Sequence, residues 1–346
     1  IQVAQQSCYL RANHPAEFIA AVLANGGGFY RPFAYVAEAM RMGVTVRPPD
    51  VNASAWRCLG HDGELRVGFQ FIKGFTTAGA DALVAARDAD GPFTSLDDLR
   101  VRTGLSRDDL RLLVKVGACD AIGNGMNRPQ MLWAIDVAPP SLAQRGSGGA
   151  SEATTPRQRK ARVGASTTSE APPLGLKPEG GGIPPLRDYP SERRRQDAWA
   201  LLGFCTDAHP MTLHAESLRR FRLARSTDLH RFVGRRVLMA GMYTTGKPVH
   251  TAKHEPMQFA TFDDGHGLVE CVLFPDVYAE RSHVLFDQGP FIFRGVVEES
   301  FGAITVTVTH LSRLERMLGR MATGEARSAR GKSRPARPGR SHLKPD

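Results

Sequence analysis

The stretches RRVLMAGMY (235–243), PMQFATFDD (256–264), GLVECVLF (267–274), GPFIFRGVVEE (289–299) and GAITVTVTHL (302–311) decide how this chain folds. Each is rich in β-branched and aromatic residues and is bounded by Gly, Pro or Asp, the pattern of short strands joined by turns. One helix-like piece, PDVYAERSHVL (275–285), stands between the third and fourth runs. Five strands with a helix between the third and fourth is the order of an OB-fold barrel. Periodicity alone also permits another small barrel, and the position of the helix favours this one. Phe259 and Phe262, three residues apart on one run, point to opposite faces, so at most one of them meets a ligand.

Upstream, the period changes to that of helices. Phe18, Ile19, Val22 and Leu23 fall at helical spacing behind Pro15, which a first helical turn tolerates. RPFAYVAEAMRMG (31–43) is a second helix stopped by Gly43, and VTVRPPDVN (44–52) is a brief extended run broken by two prolines. GELRVGFQFIKG (63–74) contains a β-like apolar run, and from Gly74 to about residue 134 helices dominate. Ser95 and Ser106 each read as N-caps with an aspartate three residues on, a weaker form of the capping box, and Gly117 reads as a C-cap. A further amphipathic helix is predicted over SERRRQDAWALLG (191–203).

Residues 141–187 are low-complexity Ser, Gly, Pro and Ala without periodicity, too poor in apolar surface to fold, and are expected to be a disordered linker. The formal net charge of +10 is concentrated there and in residues 316–346, an Arg/Lys/Gly/Pro-rich segment expected to be a disordered basic tail. The linker carries seven Arg/Lys against three Glu and the tail nine against two, leaving the folded body close to neutral. Within that body the charge is polarised. From Arg219 to Arg236 seven arginines (219, 220, 222, 225, 231, 235, 236) face one acid, Asp228. Such a patch attracts phosphate backbones by counterion release, while a solvated helix face accounts equally well for any one of these arginines.

FIKGFTTAGADALVAAR (71–87) holds the first candidate site. A glycine turn opening onto a helix leaves backbone N–H groups free at the positive end of the helix dipole, an anion site with no sequence preference. Lys73, Gly74, Phe75, Thr76 and Thr77 form it, the lysine and the two hydroxyls adding donors. Helix-hairpin-helix modules grip duplex backbone in this way, although a second glycine usually stands where this chain has Thr76. The competing reading is a helix start packed beneath the preceding strand. On the barrel, the candidate single-strand residues are Tyr243, Phe259, Phe262, Phe274 and Phe293 beside Arg235, Arg236, Lys247, Lys253 and Arg294, approached by Arg219 and Arg220.

Other chemistries lack their residues. Five scattered cysteines with no C-x-x-C pair argue against a disulfide framework and a structural zinc, and fit a reducing cytoplasm. Histidines 209, 214, 230, 250, 254, 266, 283 and 310 have no spacing of a zinc or nuclease site. Asp263 and Asp264 precede Gly265 and are explained by turn chemistry. No nucleophile motif is present. GGG (26–28) lacks the strand-before, helix-after context of a dinucleotide loop. No apolar run approaches the ~20 residues of a membrane span. The first residue, Ile1, opens directly on a helical pattern, so the chain is expected to be a fragment starting mid-domain.

Taken together, GFYRPFAYVAEAMRMGVTVRPPDVN (28–52), the block around LRVGFQFIKGF (65–75) through LLVKVGACDAIG (112–123), LLGFCTDAHPM (201–211) and the barrel resemble the C-terminal half of family C DNA polymerases. These are the bacterial DNA polymerase III alpha subunits, and the wording is closest to their error-prone branch. The resemblance implies an α+β multidomain chain. Residues 1–60 would be the end of the fingers, 61–140 a tandem helix-hairpin-helix region, 188–233 a helical connector and 234–315 the OB domain. It implies DNA as partner, both primer-template duplex and single-stranded template, with replication or mutagenesis proteins beyond. It implies Mg²⁺ for the parent polymerase and no cofactor in this chain, because the palm aspartates lie outside the matched region; the isolated chain is then expected to be inactive. No Gln-plus-aromatic clamp-binding peptide stands in the tail. Two readings compete: a stand-alone adaptor for single-strand/duplex junctions and, more weakly, an RNA-binding OB protein, for which the first 130 residues offer no support.

Overall fold

A computed structural model describes residues 2–26, 28–137, 183–287 and 289–319. The predicted linker lies outside the described residues as far as residue 182, and so does the predicted tail from residue 320. The chain divides into two compact units. One takes Ile1–Val46, Asp62–Glu64 and the chain from Gly203 onward; the other takes Arg47–His61 and Leu65–Leu202. Among the described residues no helix is long and apolar enough to cross a membrane.

The chain opens with helices α1 (Gln2–Asn13), α2 (Pro15–Ala24) and α3 (Pro32–Arg41). Pro15 and Pro32 stand in the first turns of α2 and α3, where a missing N–H costs nothing. Short strands β1 (Thr45–Arg47), β2 (Leu59–His61) and β3 (Glu64–Arg66) form a sheet in the order β1-β3-β2. The predicted β run over 63–74 therefore ends early. Gly68 is the reason: a Cβ there would fall on the backbone of Trp56 and Arg57, and beyond it Phe69–Phe71 coil into a 3₁₀ turn that buries Phe69.

Helices α4 (Thr77–Asp90), α5 (Leu96–Thr103), α6 (Arg107–Val116), α7 (Arg128–Val137) and α8 (Ser191–Leu202) build the second unit. Its interior is Phe69, Leu83, Leu99, Leu110 and Leu113, all fully buried. Ser95 and Ser106 cap α5 and α6 by accepting the N–H groups of Asp98 and Asp109. The aspartates do not close the expected box. Asp98 accepts from Thr94 N–H instead, and Asp109 from the Ser106 hydroxyl. Arg102 lies over the Phe93 ring and donates to the carbonyls of Ala86 and Gly91, placing a cation at the C-terminus of α4.

After the short helix α9 (Ala215–Leu218) come strands β4 (Arg236–His250), β5 (Pro256–Asp263) and β6 (Leu268–Leu273). Helix α10 (Pro275–Arg281) then precedes strands β7 (Phe291–Ser300) and β8 (Ala303–Arg313). They close into a barrel in the order β4-β5-β6-β8-β7, with β6 and β8 parallel and the other pairs antiparallel. Strand number, closure and helix position are those predicted. β4 is longer than predicted, running through Pro248. It pairs with β7 only from Arg236 to Gly241 and with β5 from Met242 onward, so the proline meets no ladder on the β7 side. Met239, Phe262, Leu273, Phe291, Phe293 and Leu311 fill the barrel.

One carboxylate joins the helical front of this unit to the barrel. Asp263 is fully buried at the end of β5. Arg41 Nη1 donates to both its oxygens, at 3.1 and 3.3 Å; His209 Nε2 lies 3.2 Å from Oδ1, and Gly265 N–H donates to the same oxygen at 2.9 Å. Arg31 adds to the attachment, its N–H donating to Thr244 O and its guanidinium lying 5.3 Å from the Tyr243 ring centre. The sequence reading of Asp263 as turn chemistry holds through its bond to Gly265 N–H, and the structure adds a second role. Asp264 does hold the turn, accepting from His266 and Gly267 N–H, while Asp263 ties α3 and the 209 segment to the sheet. Burial alone would raise its pKa, but His209, Arg41 and the Gly265 N–H hold it below the usual carboxylate range.

Removing a buried charge partner strands the others, so Asp263→Ala is expected to cost about 3 kcal/mol in urea unfolding at pH 7. Because its folded pKa is lowered, the contribution is complete above the unfolded value near 4 and fades as pH falls through the folded value. The stability gap between wild type and Asp263→Asn should therefore narrow at pH 3. Cys58, Cys119, Cys205 and Cys271 are buried and Cys8 is exposed; burial pushes the Cys58 thiol up to about 11 and raises those of Cys119 and Cys271 well above the ordinary value. Thiol titration of the native chain with a disulfide reagent should read one reactive group, and all five in denaturant.

Candidate nucleic-acid interface

In the hairpin unit, Gly74 takes φ +88°, a left-handed turn that Cβ-bearing residues resist. Thr76 follows in extended backbone as the N-cap of α4, its Oγ1 accepting Gly79 N–H at 3.1 Å and its carbonyl accepting Ala80 N–H. The N–H groups of Thr77 and Ala78, in the exposed first turn, have no partner inside the helix. The turn thus leaves backbone donors open at the positive end of the α4 dipole. Thr76 therefore shapes the turn, and its hydroxyl oxygen is committed to the cap. Phe75 is buried, 5.8 Å from the Phe69 ring, and anchors the hairpin from beneath.

Lys73 has a task the sequence did not suggest. Its backbone N–H donates to Leu201 O, and its ammonium donates to Ala200 O at 3.0 Å. Both are carbonyls of the last turn of α8, where a cation offsets the helix dipole. The lysine holds α8 first, and any phosphate contact shares that ammonium.

A second hairpin, none of whose residues is among the predicted ligands, joins α6 to α7 through Gly123-Asn124-Gly125. Asn124 and Gly125 have φ +48° and +83°. Asn127 and Gln130 then cap α7 reciprocally, each side chain accepting the other's backbone N–H at 3.0 Å. Their amide groups also donate to Leu186 O and Pro184 O. Arg128 grips both oxygens of Asp120 and the Lys115 carbonyl. The signal was present in the sequence as G-N-G followed by N-x-x-Q, a glycine pair before a capping box. Both hairpins thus offer backbone donors, while their cations are tied up locally.

The barrel unit has the opposite balance. Arg219 and Arg231 pair with Glu216 and Asp228 at the surface. Among the described residues, Arg220, Arg222, Arg225, Arg235, Arg236 and Arg294 have no carboxylate partner, and all are exposed. Phe259 is 45% exposed and stands opposite the exposed Lys247 across β4 and β5; Phe274 is equally exposed before α10. Phe262 is wholly buried, its ring 4.7 Å from Phe293 and 6.0 Å from Phe291, which corrects its candidacy and that of Phe293. A ring packed on all sides has no face for a base. Tyr243 is half-buried beneath Arg31, bonded through its hydroxyl to Gln258 Nε2. Lys253 is exposed in the β4–β5 turn.

No group of three or more His, Cys, Asp or Glu able to hold a metal ion occurs among the described residues.

A family model described as a helix-hairpin-helix motif matches residues 43–131, a span that includes both hairpins. Over 317 residues the chain is 33% identical to an error-prone DNA polymerase of Mycolicibacterium paratuberculosis, covering 90% of this chain and 26% of that protein. It is 32% identical over 322 residues to one from Mycobacterium tuberculosis H37Rv, with the same coverage of each chain. It is 30% identical over 317 residues to one from Rhodopirellula baltica, covering 89% of this chain and 25% of that protein. The chain spans about a quarter of the length of these curated relatives.

Gly74→Ala is expected to cost about 1–2 kcal/mol from the left-handed backbone, since Leu112 is 3.5 Å from the added methyl and is not crowded. Lys73→Met should lower unfolding stability by up to about 1 kcal/mol through the lost α8 cap. If its ammonium also meets phosphate, the salt slope of duplex binding falls by about 0.9, read by fluorescence anisotropy.

Proposed function

We propose that this chain, homologous over nine-tenths of its length to error-prone DNA polymerases, is the DNA-holding C-terminal portion of an enzyme of that kind. The observation that carries this reading is the extent of the likeness, 33% identity overall across 90% of the chain. The parent reaction is template-directed addition of deoxynucleotides with Mg²⁺ in damage-tolerant synthesis. The metal and the reacting atoms belong to the three-quarters of the relatives that this chain does not match.

The work assigned to this chain is grip. The two hairpins present N–H groups at helix starts to the phosphates of a duplex, a contact indifferent to sequence. The barrel, an OB fold in this reading, and the arginines leading to it hold single-stranded template by charge and by stacking on an exposed ring such as Phe259.

Full-length chain titrated with labelled primer-template DNA of two unrelated sequences should bind both alike, and more weakly as salt rises. Absence of binding at low salt, or strong preference for one sequence, would overturn the reading. Grafting the chain in place of the matching quarter of the Mycobacterium tuberculosis protein separates polymerase part from stand-alone adaptor. Primer extension by the chimaera supports the first; an inert chimaera that still binds junctions supports the second.

A further inference from the structure

Two regions of the barrel exterior are open to a single strand. The β4–β5 side is partly occupied, because α3 and the 209 segment are fastened over it through Asp263, Thr244 and Tyr243. What stays open there is its far end, with Lys247 and Phe259.

The β4–β7–β8 side is different. Leu238 pairs with Arg294, which pairs on its other side with His310, while Arg236 pairs with Val296. Arg236 and Arg294 are therefore diagonal neighbours on adjacent strands, and both are exposed. Together with Leu238, Thr309, His310 and Met317 they line an open groove of about 590 Å³. Like charges so placed repel, and neither arginine has a carboxylate partner among the described residues. Arg235 stands beside them, its carbonyl accepting the N–H of Val297 on β7. A groove with two uncompensated guanidiniums and an apolar floor complements a chain of phosphates carrying sugars and bases.

We infer that single-stranded DNA runs along the β4–β7–β8 face, its phosphates on Arg236 and Arg294, and not over the Lys247–Phe259 end of the β4–β5 side. This rests on the proposed single-strand role and adds the face on which the strand lies.

The test uses the full chain and a labelled oligothymidylate, with anisotropy followed over a series of salt concentrations. Arg236→Glu with Arg294→Glu should weaken binding by roughly tenfold or more, and the salt slope should fall by about 1.4, two single-strand phosphate contacts. Arg236→Lys with Arg294→Lys should keep most of the affinity, which separates charge from misfolding; an unchanged thermal melt of the Glu variant makes the same check. The inference is overturned if the double Glu variant binds with unchanged affinity and slope while Lys247→Glu or Phe259→Ala abolishes binding. If the unmodified chain binds no oligothymidylate at low salt, the single-strand role itself fails, and the face assignment with it.

Discussion

Asp263 is a charge with no access to water, and an unpartnered carboxylate in that position would cost several kcal/mol. Its burial is possible only because Arg41 and His209 arrive from separate stretches of chain to join the local Gly265 N–H. Buried ion pairs add little net stability over well-packed apolar residues, but they penalise every arrangement in which a partner is missing. The carboxylate therefore acts as a register mark. It fixes where α3 and the 209 segment lie on the barrel, and so which part of the barrel exterior they cover.

The two units distribute their surface charge differently. In the hairpin unit, Arg87, Arg100, Arg102, Arg111 and Arg128 all have aspartate partners, and Lys73 sits on helix-end carbonyls. The groups that unit leaves open at its hairpin turns are backbone N–H donors. In the barrel unit, Arg220, Arg222, Arg225, Arg235, Arg236 and Arg294 are exposed and uncompensated among the described residues, so its open groups are side-chain charges. The two units thus differ in the groups they leave open: hairpin N–H groups are short-ranged and depend on shape, whereas free guanidiniums act over a Debye length and are screened by salt.

Much of the barrel was legible in advance because its information is local. Gly, Pro and Asp turns at each end of five β-rich runs leave few alternatives, and one helix in the series selects among small barrels. Ser95, Ser106 and Gly117 were legible for the same reason, since a cap is a contact between residues three or four apart. The second hairpin was equally local, written as G-N-G and N-x-x-Q, but its glycine pair carries no charge or aromatic ring to draw the eye.

The sequence by itself determined the order of elements, the family likeness, the positions of both hairpin turns and the concentration of arginine between 219 and 236. Tertiary structure alone decided which groups are free to act. Lys73 reads as a phosphate ligand until Ala200 and Leu201 arrive from more than a hundred residues away. Phe262 and Phe259 are interchangeable in composition until closure of the barrel buries one and exposes the other. Asp263 reads as half of a turn until Arg41, 222 residues distant, reaches it. Propensity and capping depend on neighbours in the chain, whereas the availability of a charge or a ring depends on neighbours in space.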